Sequence, residues 1–222
     1  MSKAIKLLVT GHESSGKSTL TSKIENALVV NFDRKSYNFP VPHINIPVFT
    51  GTDNLIDVTN EKLGVYQEKY GKLPATVVFD TVTQLYTAIQ SHNEANYKGF
   101  TVHSNNNRDT LQFNAYVEDV LIANGVNVVI TAHVVYDADT SRYVVPATGT
   151  FKSSGSWISV VNNSIFIEKK SGKLVVHQNS LKLPARTTIE GIEASVPVDS
   201  YDINKHIKTL VEANSAADDF CL

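Results

Sequence analysis

Apolar residues fall along the chain in short runs separated by longer stretches of helical spacing. Residues 4–10 read as a strand centred on Leu7, Leu8 and Val9, and a glycine-bearing turn follows at once. Residues 17–28 place Leu20, Ile24, Ala27 and Leu28 at helical spacing, which predicts a helix, and 29–33 predict a second strand. Pro40, Pro42 and Pro47 keep the next stretch irregular. Residues 53–70 predict a helix closed by Gly71 and Pro74, 75–80 a buried strand ending in an acid, and 81–93 a helix. Residues 96–107 are polar and glycine-bearing and read as a loop. A helix over 108–123, ending at Gly125, and a buried strand over 126–132 follow. Residues 135–156 form a long connection, of a length associated with function or disorder. Residues 164–168 and 173–177 predict a hairpin, 188–196 a last strand and 201–213 a closing helix. Trp157 reads as core packing.

Strands and helices alternate through the first 135 residues and strands dominate afterwards. That order predicts a three-layer α/β domain with a mostly parallel central sheet and an antiparallel edge in the last third. The 222 residues suffice for one large domain. The division expected is a main domain over 1–200, a C-terminal helix over 201–213 and an acidic mobile tail over 214–222. One cysteine, Cys221, excludes a disulfide scaffold. The longest unbroken apolar runs have four residues (27–30 and 120–123), far short of the ~20 a membrane helix needs. No signal or transit pattern is present, so no membrane partner and a cytoplasmic location are expected. Twenty basic and 22 acidic residues, net −2, are not the footprint of bulk-charge binding to nucleic acid. Any such binding must come from local loops.

Residues 11–18, Gly-His-Glu-Ser-Ser-Gly-Lys-Ser, fit the phosphate-loop pattern G-x-x-x-x-G-K-[ST]. The glycines let the backbone wrap a phosphate so that successive N–H groups point inward. Gly11, His12, Glu13, Ser14, Ser15, Gly16, Lys17, Ser18 and Thr19 are therefore the expected nucleotide-binding residues. Lys17 would reach the outer phosphates, and Ser18 would bind Mg²⁺. Asp80, at the end of an apolar strand, is the second expected Mg²⁺ residue, acting through water.

The loop resembles that of RecA-type recombinases, which carry Glu-Ser-Ser-Gly-Lys at this place. Residues 77–85, Val-Val-Phe-Asp-Thr-Val-Thr-Gln-Leu, resemble their second motif. The chain is similar to short RecA-like P-loop ATPases of bacteriophages, a group of phage nucleotide-binding AAA domains and single-strand annealing proteins. The resemblance spans residues 4–190 and is strongest in the first 135. It implies a RecA-like core that hydrolyses ATP with Mg²⁺ and acts on single-stranded DNA in phage recombination, annealing or replication, in the cytoplasm of a bacterial host. A hexameric helicase core or loader, or a nucleotide-switched binding protein with little hydrolysis, are the alternatives. A small-molecule kinase would need an arginine-rich lid, which the chain lacks.

The same resemblance implies further residue roles. Asp33 would polarise the attacking water, with Glu13 as fallback; where the recombinases carry a second acid, this chain has Lys35. His133 would sense the γ-phosphate. Lys182 and Arg186 would act in trans from a neighbouring subunit, which implies a homo-oligomer. Two loops would hold DNA: 94–108, through Tyr97, Lys98, Phe100, His103 and Arg108, and 135–156, through Tyr136, Arg142, Tyr143, Phe151 and Lys152. The acidic and apolar tail would offer a dock to a single-strand DNA-binding protein.

Overall fold

The computed structural model describes residues 3–46, 48–147, 151–152 and 156–217. Pro47, Gly149, Gly155 and the last five residues of the expected acidic tail lie outside that set.

An eight-stranded sheet forms the centre, in the order β10-β9-β8-β1-β5-β4-β2-β3. Its strands are β1 (Lys6–Gly11), β2 (Ala27–Asn31), β3 (His43–Asn45), β4 (Thr76–Asp80), β5 (Asn127–His133), β8 (Asn163–Lys170), β9 (Lys173–His177) and β10 (Ser195–Pro197). From β8 to β3 every pairing is parallel, while β9 and β10 join antiparallel at one edge. This is the expected architecture. The central strands read Leu-Leu-Val, Leu-Val-Val, Val-Val-Phe and Val-Val-Ile because both faces are covered.

On one face, α2 (Thr52–Tyr70), α3 (Val82–Asn96) and α4 (Phe100–Tyr116) enclose a core that includes Leu85, Phe113 and the fully buried Trp157. On the other, α1 (Lys17–Thr21) and α6 (Ile203–Ala217) pack Leu20, Ile203, Ile207 and Leu210 against Leu7, Val9 and Val129. A one-turn helix, α5 (Ser156–Ser159), precedes β8, and a two-stranded hairpin of β6 (Val135–Asp137) and β7 (Arg142–Val144) follows β5.

Four expectations are corrected. The helix expected over 17–28 is only α1; Asn26 turns the chain with φ 51° and β2 begins at Ala27. The loop expected over 96–107 is only three residues, because α4 starts at Phe100. Its inner face is polar, with Asn105, Asn106, Asp109 and Thr110 buried: the Asn93 amide donates to Asn106 Oδ1 and Asp109 Oδ2, both at 2.9 Å. The strand expected over 188–196 shrinks to β10. Helix α6 runs on to Ala217, through the first residues of the expected tail.

Candidate nucleotide site

The parallel strands bring Gly11, His133 and Asp80 to one end of the sheet. Gly11 is in register with His133, and Asn31 with Asp80. Strand β5 lies between β1 and β4, so His133 stands between the phosphate loop and Asp80.

The loop's conformation explains its glycines. A Cβ on Gly11 would sit 2.4 Å from Ser15 Oγ and 2.6 Å from the Ile167 carbonyl, so the close approach of β1, the loop and β8 admits no side chain. Gly16 caps α1 with φ 84°, and Ser14 has φ 58°. The loop thus turns back on itself, and Ser15 Oγ is buried there with no hydrogen-bond partner. Helix α1 has only five residues, so its dipole adds less to anion binding than the expected longer helix would.

Lys17 is 4% exposed. Its ammonium donates to the carbonyls of Gly11 (2.9 Å) and His12 (2.7 Å) and lies 3.2 Å from His133 Nδ1. Burial lowers its pKa to about 8, against the pull of Asp80, Asp33 and Glu13. Burial, then the Lys17 charge, lowers that of His133. The imidazole is therefore neutral, with Nδ1 accepting from Lys17 and Nε2 carrying the proton. Its backbone N–H donates to Thr83 Oγ1 (2.9 Å), which ties β5 to α3.

Asp80 is 2% exposed, and both its oxygens are held. The Thr131 hydroxyl donates to Oδ1 (2.5 Å) and the Tyr37 hydroxyl to Oδ2 (2.8 Å). Burial and the adjacent Asp80 charge push the Tyr37 phenol far up, so it remains a donor. Asp33 stands past the end of β2 in a turn, not within a strand as expected. It lies 3.4 Å from Lys35 Nζ and accepts weakly from Thr81 Oγ1 at 3.5 Å. A cavity of about 330 Å³ is lined by residues 13–19 of the loop, Asp33, Lys35, Thr81 and His133. Asp80 sits behind this lining.

These groups fit a polyphosphate with a divalent ion. The donors are an orphaned hydroxyl and a desolvated ammonium on the loop, and a neutral imidazole at the end of β5. The half-buried Ser18 hydroxyl would hold Mg²⁺ directly and Asp80 through water. The ion would supply charge neutralisation at the phosphates. Tyr37, Thr131 and Thr83 were missed by sequence reasoning. Only Thr131 carried a signal, as the hydroxyl inside the apolar run of β5.

The other expected residues divide. Tyr97 (39% exposed), Lys98, Phe100 (84%), His103 and Tyr136 (58%) face solvent. Arg108 is exposed but paired with Asp109 at 3.1 Å. Arg142 and Lys152 are exposed, and Tyr143 is half-buried, stacked on Phe166 with its ring 5.1 Å from His12. Phe151 is a correction: it is 4% exposed and packs on Trp157 at 5.5 Å, so its face is not offered to a base. Arg186 is exposed, and its guanidinium donates to the carbonyls of Ile158 and Val161 of its own chain. Lys182 is exposed on the loop beside Leu181.

A parallel sheet with helices on both faces, a glycine-framed loop after its central strand and a buried acid two strands away define a P-loop NTPase. A family model described as an AAA domain matches residues 3–152, more than half the chain, and the protein belongs to this family of nucleotide-binding ATPases. No curated protein matches the chain. Among the described residues no helix is long and apolar enough to cross a membrane.

Proposed function

We propose that the protein binds and hydrolyses ATP with Mg²⁺ in the RecA-like manner and acts on single-stranded DNA in phage recombination, annealing or replication, in the host cytoplasm. The observation that carries this reading is the 3.2 Å contact between Lys17 Nζ and His133 Nδ1. His133 ends β5, and the next residues enter the β6–β7 hairpin, which carries the exposed Tyr136 and Arg142. A γ-phosphate drawing Lys17 away would leave His133 to bond the phosphate instead. The change would pass directly into the hairpin, so nucleotide state would set DNA affinity. Chemistry at the phosphate rests on positioning and charge. Lys17 and His133 would bind the transferred group, and Asp33 would orient the attacking water.

ATP turnover with and without single-stranded DNA, in wild type, Lys17→Ala and His133→Ala, tests this. Turnover that rises with DNA, is abolished in Lys17→Ala and no longer responds to DNA in His133→Ala is the expected result. DNA affinity unaffected by ATP in the wild type would sink the coupling. One observation favours a second reading, a nucleotide-switched binding protein with little hydrolysis. Lys35 stands 3.4 Å from Asp33, and a carboxylate held by a neighbouring cation is less free to orient a water. Turnover indifferent to DNA, with tight ATP binding, would select it.

A further inference from the structure

Residues 32–35 face two cavities in alternation. Asp33 and Lys35 line the nucleotide cavity, whereas Phe32 and Arg34 line a separate slot of about 420 Å³. This size falls within the range of small-ligand clefts, roughly 300–1,000 Å³. One wall of the slot is a stripe of α3 at helical spacing, Leu85, Ala88 and His92, with Gln84 and Asn96 at its ends. The facing wall is Ile46, Val48 and Phe49. The Phe49 and His92 rings meet at 5.5 Å and 85°, which forms an aromatic corner. Arg34 is the cation at the slot, and among the described residues no carboxylate lines it.

We propose that this slot takes one nucleobase of single-stranded DNA and that its filling is transmitted to Asp33 through residues 32–35. The inference rests on the DNA reading above. Flat apolar walls with amide groups at the ends suit a heterocycle, and a lone guanidinium suits the phosphate attached to it. Helix α3 ends at Asn96, and exposed Tyr97, Lys98 and Phe100 follow, so a strand leaving the slot meets a cation and aromatic faces at once.

The transmission has a defined lever. The Asn31 amide donates to the Lys35 carbonyl (2.8 Å) and to Asn45 Oδ1 (2.7 Å), and its Oδ1 accepts from Arg34 N (3.1 Å). The turn is therefore fixed at both ends, with Arg34 at φ 57°. A base that shifts Phe32 and Arg34 moves Asp33 relative to Lys35 and Thr81. DNA-stimulated hydrolysis follows when that movement breaks the Asp33–Lys35 pair.

The test uses the full chain and a homothymidine oligonucleotide carrying one 5-iododeoxyuridine. Irradiation followed by peptide mapping should place the crosslink on Phe49 or His92. Ala88→Trp, which fills the slot, should abolish it and weaken oligonucleotide binding at least tenfold. Arg34→Gln, an exposed change that does not depend on refilling a core, should weaken binding at least fivefold and reduce the stimulation of turnover by DNA. Crosslinks confined to Tyr97, Phe100 or Tyr136, with both variants binding as wild type, would overturn the proposal. The His92 ring signals, followed by NMR during titration with thymidine and then with the oligonucleotide, separate the sources of the base. A shift with the oligonucleotide at concentrations where thymidine has no effect supports the strand. An equal response to thymidine overturns the strand as the source. If the oligonucleotide does not bind the protein at all, the DNA reading of function fails; if thymidine also leaves His92 unmoved, the slot proposal fails with it.

Discussion

Lys17 offers a sign-definite test of the site. Burial holds its ammonium at a pKa of about 8, against 10.5 in the open chain. That difference corresponds to about 3 kcal/mol at ~1.4 kcal/mol per tenfold. Between pH 8 and 10.5 the unfolded chain binds more protons than the folded one. Stability of the nucleotide-free protein therefore rises with pH across that window, and the charged lysine is penalised in full below it. A triphosphate beside Lys17 stabilises the cation and raises its pKa again, so binding takes up a proton. At pH 8 the uptake should be about half a proton, and nucleotide affinity should fall about 25-fold between pH 7.5 and 9.5. Calorimetric titration of a non-hydrolysable ATP analogue, in buffers of different ionisation enthalpy, measures both quantities. The Lys17→Arg protein is the control: a guanidinium does not titrate here, so whatever affinity remains should be flat with pH. Wild-type affinity that stays flat across the same range would refute the picture of a desolvated lysine waiting for phosphate.

Gly11→Ala should cost about 1–3 kcal/mol in urea unfolding, since the added methyl meets Ser15 Oγ at 2.4 Å and the Ile167 carbonyl at 2.6 Å, and a backbone carbonyl yields little; a cost under about 0.5 kcal/mol would show that β1 and β8 are looser than described. Phe151→Ala should destabilise by about 3–5 kcal/mol, as a ring packed on Trp157 would, and leave DNA affinity of the folded fraction unaltered. Arg186→Ala removes the donor to the Ile158 and Val161 carbonyls and should lower stability by about 1 kcal/mol. Its effect should appear as a lower melting temperature, with turnover per folded molecule retained; loss of turnover without loss of stability would support a trans role instead.

The parallel core was legible because its strands are buried on both faces and read as unbroken apolar runs, as residues 77–79 and 128–130 do. The phosphate loop was legible because its geometry tolerates few residue types, as the space around Gly11 shows. The errors have equally local causes. Leu20, Ile24, Ala27 and Leu28 suit a helix and a buried strand alike, and the positive φ at Asn26 that divides them leaves no pattern in the apolar residues. The first turns of α4, before residue 108, were missed because its buried face is polar: Asn105 and Asn106 are buried there and the Asn93 amide donates to Asn106 and Asp109, so hydrophobic periodicity is silent. The partners of Asp80 come from residues 43 and 51 positions away in either direction, a distance that no local pattern spans.

The strand that carries the phosphate loop is made well before its neighbours in the sheet. β1 pairs with residues 128–133 on one side and with residues 163–167 on the other. Until the ribosome has released both, Leu7, Leu8 and Val9 have two bare edges and Gly11 has no Ile167 to close against. Such distant pairing makes the central sheet slow to assemble. The nucleotide site is therefore completed only about 150 residues after its motif is made. Nascent chains cut short before residue 163 should expose an unpaired apolar strand and depend on chaperones, whatever nucleotide is present.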